Sequence, residues 1–327
     1  MRHIITLTCS IVLLGFVLAG FQNVQAQAYA DVVNKFNEAQ EVLRNNDLPR
    51  ALTMFRETAQ MAGRIGSEAD ELKSRAERQI PNIQFTIARN HFQERRFAQA
   101  ITAFEQALTY AEQYNEPTIA TNTRRALPVV FLQYGNTEFR NENLARAEEL
   151  YRKAIELNRN YARAYYQLGL LERRRNNVDG SIGYFDQAIQ IARATNDSEV
   201  ERLAEGAARD YLTFLGSTEV ENGRFRQGIR YLERSLEYDM QHADTFYRLA
   251  EAYNNMAMWN EAIRAAEQAL RFERGGQVAR AKIHFELGIA HKNLNNTRQA
   301  CASFRSAAYG QFRAAAEHEM EHELRCN

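Results

Sequence analysis

The chain has 327 residues, and its 41 Lys and Arg are matched by 41 Asp and Glu, so the formal net charge is zero. That balance argues against a nucleic-acid binder that relies on a broad basic field, while 45% hydrophobic residues is too many for a disordered chain. Only four prolines occur along the whole length, which suits a protein built of long, seldom broken helices.

Residues 1–28 differ from everything after them. Arg2 gives a short positive start, Ile4 to Gly20 form an apolar run, and Val24-Gln25-Ala26 fits a small-x-small cleavage site. This is the layout of a secretory signal peptide, expected over residues 1–26 with cleavage after Ala26 or Ala28. An uncleaved anchor is the alternative. The run includes Thr6, Thr8, Cys9 and Ser10 and falls slightly short of the ~20 apolar residues of a spanning helix. Cys9 precedes the main apolar core, which disfavours lipidation. Export to the periplasm is therefore expected, with no stable membrane insertion after cleavage; a secreted or outer-surface location is the other possibility.

The remainder repeats itself. A small residue recurs with a second small residue 12 positions later, and a larger apolar residue one turn beyond that. Gly135 precedes Ala147 and Tyr151, Gly169 precedes Ser181 and Phe185, Gly216 precedes Gly228 and Leu232, and Gly288 precedes Ala300 and Phe304. Ala88 goes with Ala100 and Phe104, Ala250 with Ala262 and Ala266, and, more weakly, Ala39 with Ala51 and Phe55. Small residues let two antiparallel helices approach closely, and the larger residue fills the space beside the crossing. Polar turns lie between, such as Asn141-Glu142-Asn143, Asn176-Asn177 and Asn295-Asn296. Asn and Gly tolerate the left-handed geometry that ends a helix.

Phe131 to Asn160 and Phe246 to Glu273 match best the pattern of the tetratricopeptide repeat family, which this chain resembles over nearly all of its mature length. The family's first-anchor Trp is replaced by Phe131, Tyr165, Leu212, Phe246 or His284, and its closing Pro is absent. The resemblance implies an all-α fold: a right-handed superhelical solenoid of about seven helix-turn-helix repeats with a C-terminal capping helix. The array is expected over residues 29–311, with repeats near 32–65, 81–114, 128–161, 162–195, 209–242, 243–276 and 281–311, and the cap over 312–327. Three intervals carry extra polar residues, 63–78, 114–125 and 197–208, which read as lengthened helices with a loop. In the cap, Phe312, Ala316, Met320 and Leu324 form one apolar stripe.

Cys301 and Cys326 are the cysteines left after cleavage, and they form a disulfide candidate in an oxidising compartment, free thiols being the alternative. His318-Glu319-Met320-Glu321-His322 is a literal H-E-x-x-H, the spacing that places two imidazoles around zinc. The chain has only five further residues, and the apolar stripe turns both histidines outward, so a solvated face is expected. No metal is expected, His318 and His322 being only weak candidates, and no cofactor. Neither a Gly-rich phosphate loop nor G-x-S-x-G occurs.

The family resemblance implies that first helices line a concave, peptide-binding groove. By helical phase that groove should include Phe85, Arg89, Phe92, Leu132, Asn136, Phe139, Arg140, Tyr166, Leu170, Arg173, Arg174, Tyr247 and Asn254. Aromatics beside arginines suit a peptide with apolar anchors and carboxylates. The expected function is a non-catalytic scaffold or adaptor in the cell envelope, holding another envelope protein or a peptide, an acidic one among the possibilities. A self-associating assembly module and a metal-binding protein or metallopeptidase using the C-terminal histidines are the alternatives.

Overall fold

The computed structural model describes residues 24–326. Most of the expected signal segment, residues 1–23, lies outside the described residues. Within them the regular elements are helices: α1 over 24–44, then α2 Leu48–Ile65, α3 Asp70–Gln93, α4 Phe97–Gln113, α5 Pro117–Arg140, α6 Leu144–Leu157, α7 Ala162–Arg174 and α8 Val178–Thr195. α9 Ser198–Glu221, α10 Phe225–Leu236, α11 Ala243–Asn255, α12 Trp259–Phe272, α13 Gln277–Asn293, α14 Thr297–Ala307 and α15 Arg313–His318 follow. No helix among the described residues is long and apolar enough to cross a membrane.

Helices pair in sequence, odd with even, and the repeat pattern explains how. An added Cβ on Gly135 would lie 2.6 Å from the Tyr151 ring, on Gly169 2.5 Å from Phe185, on Gly216 2.6 Å from Leu232, and on Gly288 2.7 Å from Phe304. The first helix of each pair thus lets the large side chain of the second sit directly on its backbone. Tyr151, Phe185, Leu232 and Phe304 are all fully buried, each contributing about 1.5–3 kcal/mol of burial.

The turn inside each pair is equally regular. Seven residues after the first small residue the backbone is left-handed in all seven pairs: Asn46, Arg95, Glu142, Asn176, Gly223, Ala257 and Asn295. The next N–H donates back five residues, as from Asp47 to Val42 O (3.2 Å), Asn177 to Glu172 O (3.0 Å) and Asn296 to His291 O (2.9 Å). That is a Schellman stop, which satisfies carbonyls the ending helix would leave bare.

The extra intervals become helix. α3, α5 and α9 each run 24 residues, their N-terminal halves preceding the repeat proper. In two of them a buried proline, Pro81 or Pro128, stands seven residues before the small residue, where extension meets repeat.

The chain forms two compact units, Met1–Ala164 and Tyr165–Asn327. In the first, α2 to α6 each pack on their sequence neighbours, and Phe36 of α1 meets Phe55 of α2 edge-on at 5.6 Å. In the second, α8 to α14 stack in the same manner, and α13 also touches α11.

The C-terminal cap departs from the single helix expected over 312–327. It consists of a 3-10 turn, Gly310–Phe312, the short α15, and a π turn, Glu319–Glu323. Gly310 has φ +54°, and Leu324 N–H donates to Glu319 O at 2.9 Å, widening the last turn before Cys326 meets Cys301. The apolar stripe still packs: Ala316, Met320 and Leu324 lie on Phe304 and Ala300, and Phe312 on Phe285 at 5.5 Å.

Candidate peptide-binding faces

The inner-face residues separate into those committed to packing and those open to a ligand. In the first unit, Leu132 is 1% exposed. It belongs to the interior and corrects its assignment to a groove, because its helical phase turns it toward the neighbouring helices. Phe85 packs edge-on to Phe104 at 5.4 Å and Phe92 to Phe97 at 6.0 Å, so both aromatics largely serve their own repeat. Asn136 Oδ1 accepts a hydrogen bond from the buried Tyr151 hydroxyl at 3.0 Å. Phe139 is half-buried, while Arg89 and Arg140 are exposed.

In the second unit, Tyr247 and Asn254 are 8% and 7% exposed, again too buried to form a ligand surface by themselves. Tyr166 leans on Phe185 at 5.9 Å, and Leu170 packs on the cluster around Phe185 and Leu212. The charges of α11 and α13 are already engaged. Lys282 Nζ donates to Asp244 at 2.6 Å and lies 4.4 Å from the Tyr247 ring centre. Arg248 pairs with Glu251 at 3.1 Å and Glu221 at 3.8 Å. Lys292 donates to Glu319 and Glu323 of the cap at 2.6 and 3.1 Å. Asn254 Nδ2 donates to the Glu286 carboxylate at 2.8 Å. Burial nevertheless pushes the Glu286 carboxyl up to about 7, against the pull of that amide and helped by the charge of Glu251.

Arg173 and Arg174 are exposed at the end of α7. A residue absent from the expected groove, on α9, is exposed as well. Phe214 is 64% exposed and stands two residues before the small Gly216. In the next repeats that position is Arg248 and Glu286, and each reaches the end of the preceding first helix, at Glu221 (3.8 Å) and Asn254 (2.8 Å) respectively. Phe214 stands one turn beyond Tyr211 on α9. Arg173 is also close enough to Tyr211 to lower its hydroxyl pKa against the upward push of burial. The sequence held this signal: the position reads Asn37, Thr86, Gln133, Gln167, Phe214, Arg248, Glu286, apolar only at Phe214.

At the C-terminus, the His318 and His322 rings lie 5.1 Å apart and both residues are exposed. Cys326 is disulfide-bonded to Cys301 across a Cα separation of 5.7 Å, so it has no thiolate to give as a third ligand. Among the described residues no group of three or more His, Cys, Asp or Glu is placed to hold a metal.

Family models described as tetratricopeptide repeat match residues 81–114, 132–198 and 244–271. No curated protein matches the chain. Among solved structures, the chain is similar to YrrB, titled a TPR protein with an unusual peptide-binding site, with 18% identity, 61% of this chain and 96% of that chain covered, and a TM-score of 0.37. It is similar to PilW, titled a widely conserved type IV pilus biogenesis factor, with 19% identity, 73% and 99% covered, and a TM-score of 0.33. A tetratricopeptide repeat protein from Parabacteroides merdae matches with 13% identity, 92% and 100% covered, and a TM-score of 0.30. These three stretches thus match tetratricopeptide repeats and lie within an all-α array of helix pairs.

Proposed function

We propose that this tetratricopeptide-repeat chain is an exported, non-catalytic scaffold that holds an acidic peptide segment with an apolar anchor at Arg173, Arg174 and Phe214. The observation that carries the reading is the exposed Phe214, the one apolar residue at its repeat position, on the helix whose Tyr211 feels the exposed Arg173. An exposed aromatic flanked by guanidinium groups suits a peptide that offers an apolar side chain next to a carboxylate. The packed helix pairs present this patch on a stiff support, which lowers the ordering cost of capture. Export is supported by the signal-like N-terminus and by the Cys301–Cys326 disulfide.

The test is a fluorescence-anisotropy screen of labelled ten-residue peptides: acidic with one Phe or Leu, acidic without it, and basic. The acidic-apolar set should bind best. Phe214→Ala and the double variant Arg173→Glu, Arg174→Glu should each weaken it at least tenfold, whereas Arg89→Glu should not. Equal binding of all three sets, or indifference to both variants, would refute the site. Export is tested by the intact mass of the recovered protein, which should begin at Gln27 or Tyr29.

A further inference from the structure

The three lengthened helices provide an internal comparison. In each, the extension lies against the second helix of the preceding repeat, and equivalent positions can be aligned from the large and small residues of the repeats. Eight residues after the large residue stand Gly63, Glu112 and Arg193; eleven before the next small residue stand Glu77, Arg124 and Glu205; fifteen before it stand Lys73, Ala120 and Glu201. In the second and third cases the facing charges close the seam. Arg124 pairs with Glu112 at 2.6 Å, and Arg193 pairs with Glu201 at 2.7 Å and Glu205 at 2.5 Å.

In the first case the closing side chain is missing, because the position is Gly63. Instead there is an open cleft of about 530 Å³ between α2, α3 and the end of α4, lined by Arg56, Gln60, Gly63, Lys73, Glu77 and Tyr114 among others. Its size is that of a small-ligand site. Among the described residues, Lys73 and Glu77 make no ion pair with each other or with a neighbour, whereas Glu57 at the rim is taken by Lys35 at 2.5 Å. Arg56 lies 5.8 Å from the Tyr110 ring centre. Burial raises the Tyr114 hydroxyl pKa, with Glu77 adding to the rise and Arg56 opposing it, so these groups converge on one space.

Two cations and one anion without an internal ion-pair partner define the complementary ligand. We infer that this cleft binds a small zwitterion with one surplus carboxylate, an acidic α-amino acid, its carboxylates on Arg56 and Lys73 and its ammonium on Glu77. The site lies wholly in the first unit and is independent of the peptide site around Phe214.

Isothermal titration of the full mature chain tests this with three probes: L-glutamate, glycine lacking the second carboxylate, and glutarate lacking the ammonium. L-glutamate should bind saturably and at least tenfold more tightly than either comparator. Lys73→Met and Glu77→Gln should each cost at least tenfold. The decisive variant is Gly63→Glu, which sets a carboxylate beside Lys73 and takes the cation that the ligand carboxylate would use. A Cβ there meets only the Lys73 side chain, Cε at 3.8 Å and Cδ at 3.9 Å, so the variant should melt no lower than the parent and yet lose L-glutamate binding. Absence of saturable binding by the parent, equal binding of the three probes, or undiminished binding by Gly63→Glu would each overturn the inference.

Discussion

Replacing Gly169 by alanine tests the geometry that organises every helix pair. Its added Cβ would stand 2.5 Å from two carbons of the Phe185 ring, where ordinary contact begins at 3.4 Å, so the ring would have to retreat by nearly an ångström. Phe185 is fully buried and Tyr166 leans on it at 5.9 Å, which leaves no space to retreat into. Overpacking of this kind costs about 1–3 kcal/mol. Alanine returns up to ~1 kcal/mol through helix propensity, so a net loss of about 1–2 kcal/mol is expected. Gly183, in the partner helix α8, is the control: nothing lies within 4 Å of its added Cβ, and Gly183→Ala should gain up to ~1 kcal/mol. Thermal melts of both variants should therefore move in opposite directions, by about 2–4 °C per kcal/mol for a unit of this size. If Gly169→Ala stabilises as much as Gly183→Ala does, the close approach of helix backbone to ring does not exist.

Other outcomes follow from the same structure. Glu286 has its carboxyl pushed up to about 7, above its unfolded value near 4.3. The folded state thus holds the extra proton, and stability should fall as pH rises from about 4.5 to 7. Glu286→Gln should remove this loss, melting above the parent at pH 8 by the equivalent of about 1–3 kcal/mol and converging with it at pH 4.5. Ala257 has φ +57°, so Ala257→Gly should stabilise by about 0.5–1 kcal/mol; a lower urea midpoint would contradict the left-handed turn. Reducing Cys301–Cys326 opens a loop with a sequence separation of 25, which corresponds to a loss of up to ~3 kcal/mol. Hydrogen exchange should then accelerate over residues 313–324, while α11 and α12 keep their protection.

The repeat was legible because its causes are local. Small residues at a fixed offset force close helix crossings, and polar turn residues permit left-handed stops, so Gly135 with Tyr151 or Asn176 with Ser181 declares itself without neighbours in view. Which inner-face residues stay open was much less legible. Leu132 and Tyr247 share the helical phase of exposed residues, but their burial is decided by adjacent helices. Lys282 and Lys292 are taken by Asp244 and Glu319 of neighbouring elements, which only the packed structure reveals, and Arg248 by Glu251 of its own helix. The broken cap was also hidden, since a stripe spaced four residues apart fits an α-helix and an interrupted one equally well.

In a repeat array the departures from the repeat locate function better than the repeat does. A position that must serve packing carries the same kind of residue in every unit, as the seven first small residues do. Phe214 breaks a run of polar residues and stands exposed, where burial gives it no reason to be apolar. Gly63 breaks a pair of charged equivalents in the last turn of α2, where glycine costs up to ~1 kcal/mol relative to alanine and no close contact demands it. Both therefore carry a local cost that neither helix formation nor packing offsets; Phe214 shares its helix with Tyr211, which feels Arg173, and Gly63 borders the cleft of Lys73 and Glu77. A bound ligand accounts for each departure, and the Gly63→Glu and Phe214→Ala variants separate the two because they lie in different units.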